Sequence, residues 1–164
     1  MKHRNRGFTL IEVLVSLVIL GLGLMGIAKL MLFSSHANDS AYLRSQATNL
    51  AYQILDDMRA NNASLVSYST AFADPPSPAA SCVGATACSN SALALFDVYQ
   101  WKLRLDSSST LPGALPQGQG QIVTTAVGTQ TQVTIIVRWN DSVAQNSLNA
   151  GDTPTQQIVL ESLL

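Results

Sequence analysis

The stretch RGFTLIEVLVSLVILGLGLMGIAKLMLF, residues 6–33, decides the architecture of this chain. From Phe8 to Ala28 it holds one ionisable side chain, Glu12, and the apolar run resumes past Lys29 to Phe33. As an α-helix rising about 1.5 Å per residue, this segment reaches about 39 Å, enough to span a bilayer core with some tilt. Lys2, Arg4 and Arg6 precede it, and residues 1–7 contain no acid. Basic flanks stay in the cytoplasm, so the amino terminus is expected there and the remainder of the chain outside. A charge in hydrocarbon costs about 2.5 kcal/mol or more, which by default marks Glu12 as functional.

Two simpler readings account for less. A cleaved secretory signal needs an apolar core of about 7–15 residues and a small-residue cleavage site. This core is longer, and no A-x-A site follows it. A plain one-pass anchor explains the length and the flanks but leaves Glu12 unexplained.

Gly-Phe-Thr-Leu-Ile-Glu (7–12) at the head of such a run closely resembles the class III signal of type IV prepilins and of type II secretion pseudopilins. The resemblance implies that prepilin peptidase cuts between Gly7 and Phe8 and methylates the new amino terminus, leaving N-methylphenylalanine at Phe8. Glu12 then takes the place of the family's glutamate. The physical chemistry is compatible. Once a basic leader is removed, the amino group of Phe8 is the nearby positive charge, and Glu12 stands one helical turn on, on the same face. A carboxylate in a first turn is favoured by the helix dipole. In a packed filament Glu12 is expected to neutralise the amino terminus of a neighbouring subunit, a pairing that sets register because a misaligned neighbour leaves two charges unpaired. The competing role for Glu12 is an internal helix-start interaction alone.

Composition narrows the remaining classes. The 164 residues suit one domain with an appendage. From residue 34 onward, five basic residues (Arg44, Arg59, Lys102, Arg104, Arg138) face nine acidic ones, a net charge of −4. Nucleic-acid affinity rests on neutralising phosphates with Lys and Arg, so no nucleic-acid partner is expected. Cys82 and Cys88, in CVGATAC, cannot complete a four-ligand zinc site, and the histidine past the leader is His36. Their spacing and the small residues between them suit a disulfide-closed loop in an oxidising compartment, the alternative being two unpaired small hydrophobes. The membrane-directed head of the chain favours the disulfide. No Ser/His/Asp or Cys/His set and no glycine-rich phosphate loop is evident, so neither an enzyme nor a cofactor or metal is expected.

Past the greasy run the pattern turns amphipathic. Leu43, Ala47, Leu50, Ile54 and Met58 recur at three- and four-residue steps, with Arg44, Asp57 and Arg59 off the stripe. The spacing predicts one helix from about 8 to 60, roughly 80 Å long. RANNAS breaks it. Gly21, Gly23 and Gly26 are weak points of about 1 kcal/mol each relative to alanine, serving either local bending or close helix packing. Residues 63–90, rich in Ala, Ser and Pro, are expected to be irregular and pinned by the disulfide.

Segment 91–107, SALALFDVYQWKLRLDS, fits two periods. Tyr99, Trp101, Leu103 and Leu105 alternate as in a strand, while Ala94, Leu95, Val98, Trp101 and Leu105 share a helical face. Ser89, Asn90 or Ser91 as caps and the Leu-Pro-Gly stop at 111–113 favour the helix. GQIVTTAV (120–127) and TQVTIIVRW (131–139) flank GTQ, a hairpin connection, and Val133, Ile135, Val137 and Trp139 face one way. A polar loop over 140–154 leads to a closing strand, 155–164. The expected fold is therefore α+β, the type IV pilin fold: a long amino-terminal helix packed on a small antiparallel sheet. It divides into a leader (1–7), a transmembrane or filament-core half-helix (8–33), an amphipathic half-helix (34–62) and a globular head (63–164).

LAYQILDDMRANN (50–62) resembles minor pilins of the PilV type, and the cysteine pair, the helix with QW, the LPG turn and VTIIVRW continue the likeness more loosely. That resemblance implies a complex with other minor pilins and the major pilin that primes type IV pilus assembly. It implies an inner-membrane chain with a periplasmic head, then a place in the fibre, which the family pattern puts at the tip, with inner-membrane assembly machinery and a tip adhesin as further partners, and so twitching motility and attachment. A minor pseudopilin of type II secretion is the alternative, and a DNA-uptake receptor pilin a weaker one.

Overall fold

The computed structural model describes residues 7–77, 82, 88–105, 115–141 and 155–164. Most of the expected leader, the Leu-Pro-Gly stop at 111–113 and residues 142–154 of the expected polar loop lie outside the described residues. The chain forms two compact units, one up to Asn38 and one from Asp39 to Leu164. Helix α1 (Leu10–Ala60) contributes its first part to one unit and its last part to the other. It begins at Leu10 rather than at residue 8, because the first turn is closed by the amides of Glu12 and Val13 donating to the carbonyl of Thr9, at 3.1 and 3.4 Å.

In the second unit the amphipathic stripe is the buried face of α1. Ala47, Leu50, Ile54 and Met58 are buried, Leu43 packs against them half-buried, and Ala51 and Leu55 widen the stripe. Each large apolar side chain so buried stabilises the fold by about 1.5–3 kcal/mol. These residues share one cluster with Leu65, Tyr68, Trp101, Leu105, Ile122 and the inward face of the sheet.

The segment expected to be irregular from residue 63 instead opens with a 3-10 helix, Asn62–Tyr68. The reason is periodicity: at about three residues per turn, Leu65 and Tyr68 fall on the same side, and both are buried. Thr70 then makes an isolated antiparallel bridge to Ile122.

Residues 90–105 are helical, as the capping signals predict. Helix α2 (Asn90–Leu105) starts at Ser89, whose Oγ accepts from the amide of Ala92 at 3.3 Å and whose carbonyl accepts from Leu93 at 2.9 Å. Ala94, Trp101 and Leu105 are buried and Val98 packs on the core. Leu95 departs from the expected face and is 56% exposed, since it follows Ala94 by one residue and turns away from a stripe running 94, 98, 101, 105.

The sheet is a three-stranded antiparallel meander in the order β1 (Gln119–Val127), β2 (Gln130–Asn140), β3 (Thr155–Leu163). Val127 pairs with Gln130, leaving Gly128 and Thr129 as the turn. Gly128 has φ +62° and Thr129 is not in the positive-φ region, which is the type II′ pattern with glycine first. Along β2, Val133, Ile135, Val137 and Trp139 are all buried, as their alternation predicts. The expected polar loop begins later than residue 140: Asn140 completes β2, and Asp141 is buried, accepting from Ser40 Oγ.

Cys82 and Cys88 are joined by a disulfide. A loop of that size removes chain entropy worth about 2 kcal/mol from the unfolded state. Reducing the full-length protein should therefore lower its unfolding free energy by about that amount, read as a shift in the denaturation midpoint with and without reductant.

Candidate functional site

The first unit is the candidate site. Every described residue from Gly7 to Asn38 is exposed, including Phe8 at 83% and Leu10 at 84%. The most apolar 18-residue window of α1 has mean hydropathy 2.5 and none of it is buried. A bare apolar surface of this extent has no stable place in water, so lipid or other helices must cover it. Gly21, Gly23 and Gly26 lie along it with no atom within 4 Å of where a Cβ would stand, so each leaves room for a close helix approach.

Glu12 is the third residue of α1, and its amide is held by Thr9. Thr9-Leu10-Ile11-Glu12 is thus a T-x-x-E capping sequence, a signal that periodicity alone passes over. Ser16 Oγ donates to the Glu12 carbonyl at 2.7 Å. The Glu12 carboxylate itself is exposed and makes no hydrogen bond or ion pair among the described residues. Gly7 and Phe8 precede the helix without regular secondary structure, and both are exposed. Cys82 and Cys88 stand elsewhere, in the second unit, and serve the fold.

The second unit holds a polar cluster that sequence reasoning missed. Tyr68 donates its hydroxyl proton to Asp97 Oδ2 at 2.7 Å, and Asn61 Nδ2 donates to the carbonyl of Asn90 at 2.7 Å while lying 3.3 Å from the tyrosine oxygen. Burial raises the pKa of Asp57, and the neighbouring Asp97 carboxylate raises it further. Burial likewise raises Asp97, partly offset by the Tyr68 hydrogen bond. Tyr68 is pushed up by burial and by its bond to Asp97. Lys102, almost fully buried, donates to the carbonyls of Ala71 and Asp74 at 2.7 and 2.6 Å, and desolvation lowers its pKa. Its place was legible: it follows Val98 by four residues and so flanks the apolar stripe of α2. These groups tie α1, the 3-10 helix and α2 together.

A raised carboxyl pKa means the folded state binds protons more readily than the unfolded one, so ionising Asp57 and Asp97 at neutral pH opposes folding and protonating them relieves it. Asp97→Asn keeps an acceptor for Tyr68 and removes the repulsion. It should stabilise the protein at pH 7, with the advantage shrinking as pH falls through the raised carboxyl range. Thermal melts of both proteins at pH 7 and pH 4 check this; a constant difference would contradict it.

The family models match in two adjoining blocks. The prokaryotic N-terminal methylation motif covers residues 2–28, and type IV pilin Tt1218 covers residues 30–99. No curated protein and no solved structure gives a significant match. Among the described residues no group of three or more His, Cys, Asp or Glu is arranged to hold a metal ion.

Proposed function

We propose that this chain, which carries the prepilin methylation motif joined to a type IV pilin domain and is thus a structural component of a pilus or pseudopilus, is a minor pilin that primes type IV pilus assembly. The motif implies processing by prepilin peptidase and assembly with other pilins, and the exposed apolar helix fits an inner-membrane anchor. The reading goes further on the residues. Prepilin peptidase cuts between Gly7 and Phe8, the leader 1–7 is lost, and N-methylated Phe8 becomes the terminus. Residues 8–33 pass from lipid into the filament core, 34–62 carry the amphipathic half-helix, and 63–164 form the periplasmic head that meets other minor pilins and, at the tip, an adhesin.

The observation that carries this reading is the bare apolar face of α1 headed by an exposed Glu12 with no partner among the described residues. In assembly, neighbouring helices replace lipid around α1, and Glu12 meets a neighbour's amino terminus. The minor-pilin role, rather than a pseudopilin one, is supported by the likeness of LAYQILDDMRANN to PilV-type chains. A deletion strain separates the two: loss of surface pili with normal exoenzyme secretion is expected, and intact piliation with lost secretion would assign the chain to a type II secretion pseudopilus. Mass spectrometry of the mature chain should find N-methylated Phe8.

A further inference from the structure

The two edges of the sheet are not alike. Thr131 and Leu164 exchange both backbone hydrogen bonds, at 2.9 and 3.0 Å. In an antiparallel ladder alternate residues face the same neighbour, so in the printed register Ser162, Leu160 and Ile158 also direct their N–H and C=O groups at β2. Gln157, Val159, Glu161 and Leu163 direct theirs away from the sheet. The same parity on β1 turns Ile122 outward, and there the edge is taken: Ile122 and Thr70 exchange bonds of 2.9 and 3.0 Å. Among the described residues β2 is the only strand paired with β3.

Among the described residues, the β3 edge also lacks the commonest forms of protection. Native edges are blunted by lysine, proline, a bulge or short length. Thr155–Leu163 runs nine residues in unbroken register with no lysine and no proline. Its outward-paired residues carry Glu161 as their one charge, and Val159 and Leu163 are 52% and 55% exposed. An extended row of unpaired amides and carbonyls is complementary to one thing, the backbone of another strand.

We propose that the outer edge of β3 is a strand-addition site that takes an extended segment of a different pilin subunit, one presenting a neutral or basic residue opposite Glu161. A second copy does not suit. A head-to-tail copy would have to offer its β1 edge, which Thr70 occupies at Ile122. Edge-to-edge pairing of two β3 strands makes a closed two-fold dimer, whereas a fibre grows through heterologous contacts. The inference rests on the proposed role as a pilus component.

The test uses the full-length chain in its own membrane, with the photo-crosslinker p-benzoylphenylalanine in place of Gln157 or Glu161. A crosslink to a different pilin, identified by mass spectrometry, is expected. Val159→Pro removes an N–H that β2 does not use, and proline is tolerated at such edge positions. It should lower the crosslink from Gln157 at least ten-fold while chain level and protease resistance stay unchanged. Should Val159→Pro deplete the chain, Val159→Lys places a charge on the same edge and serves instead. Unchanged crosslinking in the variant that accumulates normally, or a crosslink solely to a second copy or within the chain itself, would overturn the proposal. Piliation in the deletion strain separates the two failures: if deletion leaves pili intact the assembly role falls, and if deletion abolishes pili while both edge variants make them and crosslink as before, the edge assignment alone falls.

Discussion

Glu12→Ala is expected to leave cleavage after Gly7 largely intact while cutting incorporation into sheared fibres at least a hundred-fold. The size follows from leaving a neighbour's amino terminus buried without a counter-charge, a loss of about 3–5 kcal/mol, at about 1.4 kcal/mol per factor of ten. Glu12 is exposed and has no partner among the described residues of the single chain, so the folded head should not register the change. Glu12→Gln separates charge from capping. Glutamine at the third helical position satisfies the T-x-x-E/Q capping pattern formed with Thr9 but carries no charge. If the charge acts across subunits, the glutamine variant fails as the alanine one does. Wild-type fibre levels for Glu12→Gln would assign Glu12 to helix capping alone. The readouts are an immunoblot of sheared fibres and mass spectrometry of the mature amino terminus.

Trp101→Ala is expected to destabilise the second unit by about 3–5 kcal/mol, the usual range for emptying a large aromatic from a core. Trp101 is 2% exposed, and its indole N–H donates to the carbonyl of Leu50 at 2.9 Å, fixing α2 to α1. The ring also fills the space that Gly120 leaves on β1: a Cβ there would lie 2.3 Å from Trp101 Cη2. A rigid ring cannot yield to it, so Gly120→Ala alone should be destabilising as well. In the Trp101→Ala background the ring's clash is gone and Leu105 Cδ1, 2.6 Å from the same Cβ position, can move into the vacated space, so the two losses should be less than additive. Denaturant titration of the full chain and both single and double variants measures the coupling; additivity within about 0.5 kcal/mol would mean ring and glycine are not interlocked. The loss is a large fraction of the stability of an ordinary domain, about 5–15 kcal/mol, so a depleted head is the expected phenotype in cells.

Much of this fold was legible because its signals are periodic or compositional. The stripe of α1 and the alternation of β2 each repeat one rule over several residues, and burial follows them at Ala47, Leu50, Ile54 and Met58 and at Val133, Ile135, Val137 and Trp139. The N-terminal methylation motif was legible for another reason: a hydrocarbon run tolerates so few ionisable groups that Glu12 stands out. What stayed hidden depends on partners far along the chain. Asp97 sits on an unremarkable helical turn, and Asp57 lies off the stripe of α1. Only folding brings Asp97 to Tyr68 and near Asp57. Asp141 is buried at the end of β2 because Ser40, 101 residues earlier, meets it. The 3-10 helix was missed because two buried residues three apart, Leu65 and Tyr68, are too short a pattern to separate from chance.

The meander bears on how the second unit folds. Each sheet pairing joins segments adjacent in sequence, so β1, β2 and β3 can zip without closing large loops, while the Trp101–Leu50 bond closes one of 51 residues. A sheet formed early therefore waits with Val133, Ile135, Val137 and Trp139 bare. The helix that covers them belongs to the same polypeptide, at an effective concentration of order millimolar. Capture is thus a first-order event, outpacing encounters between half-folded copies as long as those copies stay below that effective concentration.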